Sequence, residues 1–336
     1  MNATSFHNLR AKLMLVLLLT TAWSTACLAD DIHEAAARGD VEAVRAMLKE
    51  NPHLASKKNR MELTPLHLAA RDGHADVVAL LLANKADVNA MTHLTAETPL
   101  LLAAERGHAD VVKLLPAAGA KKDAGNVTML MRVSASPAAG FGGTALVRAA
   151  CAGYADVVKL LLEAGANKEA KDAANGTALV RAAQYGHANA VRLLLAAGAD
   201  KEAHVSGDVS YTEIWQGKVT HFRPGETFRG VSLHGDSITA TMTQSNGVIS
   251  VSVTGRAPQT ALVLAARNGS VEIVKLLLEA GANLAGHKEL YSGQASPFPR
   301  GGEFVFFSAN VTALDAAKEG NHPDVVQLLT AAGAKE

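Results

Sequence analysis

Net charge, cysteine and aromatic side chains are all scarce in this chain. Its 336 residues hold 32 basic and 32 acidic side chains, so the formal charge at neutral pH is +0. That balance leaves no basic excess for nucleic acid and no basic patch for a membrane surface. Aromatics make up 4% of the residues, so Leu, Val and Ala must fill most of the core that 49% hydrophobic content implies. The two cysteines are Cys27 and Cys151. The 13 histidines show no H-x-x-x-H or HExxH spacing, so no metal site is expected. There is no phosphate-binding loop, nucleophile elbow or paired-carboxylate motif, so no catalytic residues and no cofactor are expected.

The first 29 residues differ from the rest. "MNATSFHNLRAK" carries Arg10 and Lys12, "LMLVLLLTTAW" is apolar, and "STACLA" places Cys27 and Ala29 at minus three and minus one to a cut before Asp30. Basic head, short apolar middle and small-residue exit describe a secretory signal peptide, which implies a periplasmic or secreted protein. The alternative is an uncleaved anchor, since the uncharged run Leu13–Ala29 has 17 residues, the short limit for spanning. Cys27 after Ser24-Thr25-Ala26 is close to a lipoprotein signal but lacks the Leu three residues before it. Cleavage would leave Cys151 alone, with no intrachain disulfide possible, and a charge of −2.

The remainder repeats itself. "TPLHLAARDGHADVVALLLANKADVN" starts at Thr64, "TPLLLAAERGHADVVKLLPAAGAKKD" at Thr98, "TALVRAACAGYADVVKLLLEAGANKE" at Thr144 and "TALVRAAQYGHANAVRLLLAAGADKE" at Thr177. Further copies start at Thr260 and Thr312, and an atypical one, "DIHEAAARGDVEAVRAMLKE", at Asp31. In each copy Thr can cap a helix, and Pro65 and Pro99 suit its first position. Gly73, Gly107, Gly153, Gly186, Gly269 and Gly320 are placed to end that helix. A second helix of the form D-V-V-K-L-L-L follows. One such pair cannot bury its apolar face, whereas stacked pairs can.

This pattern resembles the ankyrin repeat, and "TPLHLAARDGHADVVALLL" carries nearly the whole family motif. The resemblance implies a curved α-helical solenoid of about seven repeats, starting near residues 31, 61, 95, 141, 174, 257 and 309. First helices would line a concave face, and the loops between repeats would project as fingers. It also implies a binding module for a protein partner, with no catalytic residues to carry over. The motif His survives at His67 and becomes Leu101, Val147, Val180, Val263 and Asp315. It supports hydrogen bonding between neighbouring loops, so weaker joints are expected in the later repeats. Pro116 is expected to kink or shorten its helix.

The steps between motif threonines locate three insertions, over 127–143, 204–258 and 287–310, all at the finger position. Of the 14 aromatics, two precede residue 30, two (Tyr154 and Tyr185) lie in repeats, and ten lie in the insertions. The longest insertion alternates like strands. "SITATMTQ" and "VISVSVTG" flank a turn at "SNG", and "EIW-QG-KVTHF" suggests another hairpin. A four- or five-stranded antiparallel β module is expected on that finger. Aromatics dominate binding hot spots, so Trp215, Phe222, Phe228, Phe304, Phe306 and Phe307 are candidate partner contacts, although an inserted fold also needs a core of its own. Arg71, Arg106, Arg148, Arg181 and Arg267, with Lys318, occupy first helices and could form a basic stripe on the concave face beside Tyr185. Ordinary solubilising charge, offset by neighbours such as Asp72 and Glu105, is the alternative. Cys151 looks like a small filler. The sequence thus describes an exported module that binds a protein partner, as scaffold or inhibitor. The other reading is a solenoid displaying a β-rich insertion that binds a glycan or peptide ligand or is catalytic.

Overall fold

The computed structural model describes residues 32–93, 95–125, 142–215, 227–232, 237–245, 248–285, 287–296 and 304–335. The expected signal peptide and nearly all of the insertion at 127–143 lie outside these residues.

Among the described residues, helices come in seven pairs. The first is α1 (32–38) with α2 (Val41–Glu50). Then come α3 (Pro65–Asp72) with α4 (Ala75–Ala83), α5 (Pro99–Arg106) with α6 (Ala109–Ala117), and α7 (Ala145–Ala152) with α8 (Ala155–Glu163). The last three are α9 (Ala178–Gln184) with α10 (Ala188–Ala196), α11 (Ala261–Arg267) with α12 (Val271–Glu279), and α13 (Ala313–Glu319) with α14 (Pro323–Ala331). First helices stack on first helices and second on second. Leu66, Ala69 and Ala70 of α3 and Val77, Val78 and Leu81 of α4 are fully buried, and their equivalents along the chain join them in one continuous core. This is the burial that no single pair could achieve.

Local sequence sets the helix limits. Thr64, Thr98, Thr177, Thr260 and Thr312 each accept the backbone N–H three residues on. Thr144 holds the same place without that bond. The last first-helix departs from the expected stop. Gly320 stays right-handed, and Asn321 takes the left-handed turn at φ 56°. The motif there aligns Asn321, not Gly320, with the terminating glycines, and Asn tolerates that conformation. Pro116 does not shorten α6, which keeps the nine residues of α4, α8, α10 and α12. It sits in the last turn, and burial of Val111, Val112 and Leu115 holds the helix to full length.

A ring-over-glycine contact joins successive pairs. Gly39, Gly73, Gly153 and Gly269 have φ between 69 and 84°, and the next pair lays His74, His108, His187 or His322 over each of them. The Nε2–H of each ring donates to the carbonyl two residues before the glycine: Ala37 at 2.9 Å, Arg71 at 2.8 Å, Cys151 at 2.9 Å and Arg267 at 2.9 Å. Tyr154 covers Gly107 in the same way. At Gly186 the residue is Ser270, and Asn268 Nδ2 donates to the equivalent carbonyl, that of Gln184, at 2.6 Å. His67 forms a second type of joint. It accepts the Thr64 N–H at Nδ1 (3.1 Å) and donates from Nε2 to the Glu97 carbonyl (3.1 Å). His33 reaches the Lys57 carbonyl at 2.9 Å in the same manner.

The strands come from two insertions. β1 (His204–Trp215), β2 (Thr227–Ser232), β3 (Ser237–Ser245) and β4 (Val248–Thr260) lie between α10 and α11. β5 (His287–Ser296) and β6 (Phe304–Val311) lie between α12 and α13. All six form one antiparallel sheet in the order β1-β4-β3-β2-β5-β6. The expected β3–β4 hairpin is present, with Ser245 opposite Val248. The expected partner of β1 at 218–222 lies outside the described residues, and β1 pairs with β4. The module is larger than expected because neighbouring fingers leave the solenoid side by side. The β2–β3 hairpin pairs with β4 only as far as Gly255 and with β5 only from Tyr291 onward, so it fills the opening between two fingers.

Two outcomes test this frame. Gly153→Ala places a Cβ 2.4 Å from His187 Nδ1 at φ 80°, whereas Gly198 (φ 73°) has nothing within 4 Å. Gly198→Ala should cost about 1 kcal/mol, the left-handed penalty alone, and Gly153→Ala at least about 1 kcal/mol more. Urea denaturation measures both, and equal losses would refute the ring contact. Burial holds the His67 imidazole below its ordinary pKa. Its contribution to stability is therefore present above about pH 6.5 and lost as pH falls below that. Between pH 7.5 and 5 the wild-type denaturation midpoint should drop more than that of His67→Leu.

Candidate functional site

Most of the candidate contacts lie on first helices or in strands of the sheet. Arg106 and Lys318 are exposed. Arg71 is half-buried and forks onto Asp72, with Nε to Oδ1 at 3.0 Å and Nη2 to Oδ2 at 2.8 Å. That hydrogen bond holds the Asp72 carboxyl below the usual range. Arg267 is half-buried, donating to Gln259 Oε1 at 2.7 Å and lying 3.4 Å from Glu319. Gln259 belongs to β4, so Arg267 ties α11 to the base of the sheet.

Arg148 and Arg181 do not belong to an exposed stripe, as they are 0% and 2% exposed. They lie four residues after their motif threonines, where other copies carry Leu68, Leu102 and Leu264, all buried. Arg71 and Arg267 lie seven residues after theirs and Arg106 eight, nearer the helix ends. A buried guanidinium needs carboxylates. Arg181 sends Nε to Asp172 Oδ2 (2.7 Å) and Nη2 to Oδ1 (3.1 Å), with Nη1 on Gln184 Oε1 (2.6 Å). Asp172 Oδ1 also accepts the N–H groups of Ala174 and Gly176, both at 2.9 Å, which folds the finger turn. Arg148 has no acid at that place. Its Nη1 bonds Glu105 and lies 3.5 Å from Glu97, both from the preceding pair. Among the described residues, its Nε and Nη2 find no partner, nor does Thr144 Oγ1. Asp172 and Glu97 were not singled out from the sequence, and Glu105 was named only as a charge offsetting the arginines. The signal was there in the alignment of Arg181 with Leu68 and of Asp172 with Asn59, whose Oδ1 accepts the N–H groups of Met61 and Leu63.

Cys151 is buried beside these groups, and burial pushes its thiol up to about 12. Tyr185 is half-buried against the core, and burial raises its hydroxyl too. Trp215 ends β1, Phe228 lies in β2, and Phe304, Phe306 and Phe307 lie in β6, so the sheet brings these five into one element. Phe222 lies outside the described residues. Among the described residues, no group of three or more His, Cys, Asp or Glu could hold a metal ion, and no helix is long and apolar enough to cross a membrane. An open depression at the seventh pair is lined by Lys318, Asn321, His322 and Val326.

The family model for ankyrin repeats (3 copies) matches residues 32–126, 125–204 and 245–336, well over half of the chain. No curated protein matches it.

The buried pair makes a separable prediction. Asp172→Ala takes the carboxylate away from buried Arg181 and should cost roughly 3–5 kcal/mol. Arg181→Leu combined with Asp172→Asn recreates the Leu68 and Asn59 arrangement and should fall within about 1 kcal/mol of wild type. Denaturation of both variants checks this, and a double variant as unstable as the single would contradict it.

Proposed function

The chain belongs to the ankyrin-repeat family and carries a protein–protein interaction module, and we propose that it is exported and grips a protein partner with its first-helix ends and its finger sheet. On this reading the seven helix pairs are seven repeats, and the protein acts as a scaffold or an inhibitor. Residues 1–29 support export through their basic head, apolar middle and small-residue exit.

The observation that carries the partner reading is the union of two insertions. Insertions that merely lengthened their loops would each close in a turn of their own. Here Thr227–Ser232 of one pairs along Thr227 to Ser232 with Ser296 to Tyr291 of the other. Loops of this kind hold function when a rigid scaffold positions them, and a sheet bridging three helix pairs is such a placement. Exposed Arg106 and Lys318, with half-buried Arg71, Arg267 and Tyr185, supply polar and aromatic contacts along the helix ends. Mixed charge there (Glu105 and Glu319 among the arginines) favours a partner of mixed charge over a strongly acidic one.

Affinity capture from the exported fraction tests this. A variant with 206–258 and 287–310 each shortened to an ordinary turn should retain its helix content by circular dichroism and lose at least tenfold of the captured partner. Undiminished capture would remove the sheet from the binding surface. Loss of a glycan or peptide ligand with capture intact would favour the ligand-binding reading instead.

A further inference from the structure

The seven described pairs meet at six joints, and five of these show what fits over a left-handed glycine. His74, His108, Tyr154, His187 and His322 each bring ring atoms within 3.0 Å of where a Cβ on the facing glycine would stand. Glycine permits so close an approach because it has no Cβ of its own. The sixth joint, between the fifth and sixth pairs, sets Ser270 against Gly186. Ser270 Oγ lies 4.0 Å from the corresponding point, and among the described residues nothing else is as near. Gly186 is exposed, whereas Gly39, Gly73, Gly107, Gly153 and Gly269 are half-buried.

The backbone of this joint matches its counterparts. Gly186 has φ 80°, like the covered glycines. Ser270 has φ −80° and ψ 79°, inside the spread of the ring-bearing positions, which run from −109 to −77° in φ and from 76 to 82° in ψ. The joint thus keeps the shape of a ring site with a serine where the ring would be rooted. Its polar half is already satisfied. In four joints the ring nitrogen donates to the carbonyl two residues before the glycine, and here Asn268 Nδ2 donates to that carbonyl, Gln184, at 2.6 Å. What stays open is room for a ring that need not donate. Tyr154 shows that a carbon ring fits, since it meets Gly107 with Cγ, Cδ1 and Cε1.

We propose that the Gly186 joint is a ring-binding site that takes a neutral aromatic side chain, phenylalanine or tyrosine, from the protein partner. Charge favours a neutral occupant. Arg192 and Glu272 face each other across this joint at 2.7 Å, and Arg267, at the end of α11, lies 3.4 Å from Glu319. Cations and anions there are already paired, so the joint selects against a charged group. Position favours a partner. Gly186 follows the C-terminal end of α9, and Asn268 follows that of α11, which places the site on the first-helix ends assigned above to binding. The inference rests on that reading and names one group the partner must present. A single aromatic anchor of this kind carries a large share of the affinity of an interface.

The test follows the amide resonances of Gly186 and Ser270 in the full chain, with N-acetyl-L-tyrosinamide as the probe. Both should shift and saturate with a dissociation constant on the order of 10 mM, as expected for one small ring. N-acetyl-L-alaninamide, which has no ring, should leave them in place. Ser270→Tyr roots the ring in the chain itself, as Tyr154 does. It should raise the urea midpoint, abolish the probe shifts and reduce partner capture at least fivefold. Ser270→Ala leaves the site open and should keep both the shifts and the capture. Unmoved amides in wild type overturn the proposal, and so does a lowered midpoint in Ser270→Tyr, because the ring then does not fit. Probe shifts with capture undiminished in Ser270→Tyr overturn the assignment to the partner and leave the finger sheet as its binding surface. Probe shifts with no protein captured by wild type overturn the partner reading and leave the ring site.

Discussion

An imidazole laid over a glycine that lacks Cβ is the contact on which this solenoid depends. The positive φ at Gly73 turns the chain from the first helix into the second, and the bare backbone it leaves is the surface that His108 covers. Because the same ring donates to a carbonyl of the earlier pair, one residue both fills the joint and satisfies an end-of-helix acceptor. Repeated along the chain, the contact fixes how each pair sits on the last. Where the ring is missing, at Gly186, the carbonyl still receives a donor from Asn268. The large sheet begins at that same joint, and it spans the last three pairs.

The second organising constraint is the treatment of buried charge. Position four of the motif is a leucine site in several copies and an arginine site in two. Arg181 is tolerated because Asp172 meets it with both oxygens while also folding its own turn. Arg148 borrows Glu97 and Glu105 from the neighbouring pair, so its charge is balanced across a joint instead of within one. The two copies therefore differ in how they couple neighbours, although their helix sequences are nearly the same. Ion pairs of this kind favour one arrangement over alternatives more than they add net stability.

Much of the helical architecture was legible because the repeat writes its own punctuation. Thr, Gly and the D-V-V-K-L-L-L segment mark a start, a turn and a buried stripe in each copy, and helix pairs appear at each of them. The exposed stripe misled because it grouped arginines by helix instead of by position. Arg71 and Arg148 are both in first helices, yet only the aligned place of Arg148, shared with Leu68, says that it is buried. The sheet was half legible. Alternation identified β3, β4 and their hairpin, which are local. Pairing of β2 with β5 joins segments separated by α11 and α12, and no local pattern encodes a neighbour that distant. The aromatics gather in the insertions by sequence alone, but that two insertions share one sheet needed the strand pairing.

That pairing has a consequence for the order in which the protein can be made. Each helix pair can dock on its predecessor as soon as it is complete, so the solenoid can grow from its N-terminal end during synthesis. The sheet cannot. Until the stretch His287–Ser296 has been synthesised, β2 has β3 alone as its neighbour among the described strands, and the finger between α10 and α11 must wait through α11 and α12 for its closing strand. A nascent chain therefore passes through an interval in which four of the six strands are made and β2 still lacks its second neighbour. The speed of translation across residues 261–296 sets how long that interval lasts.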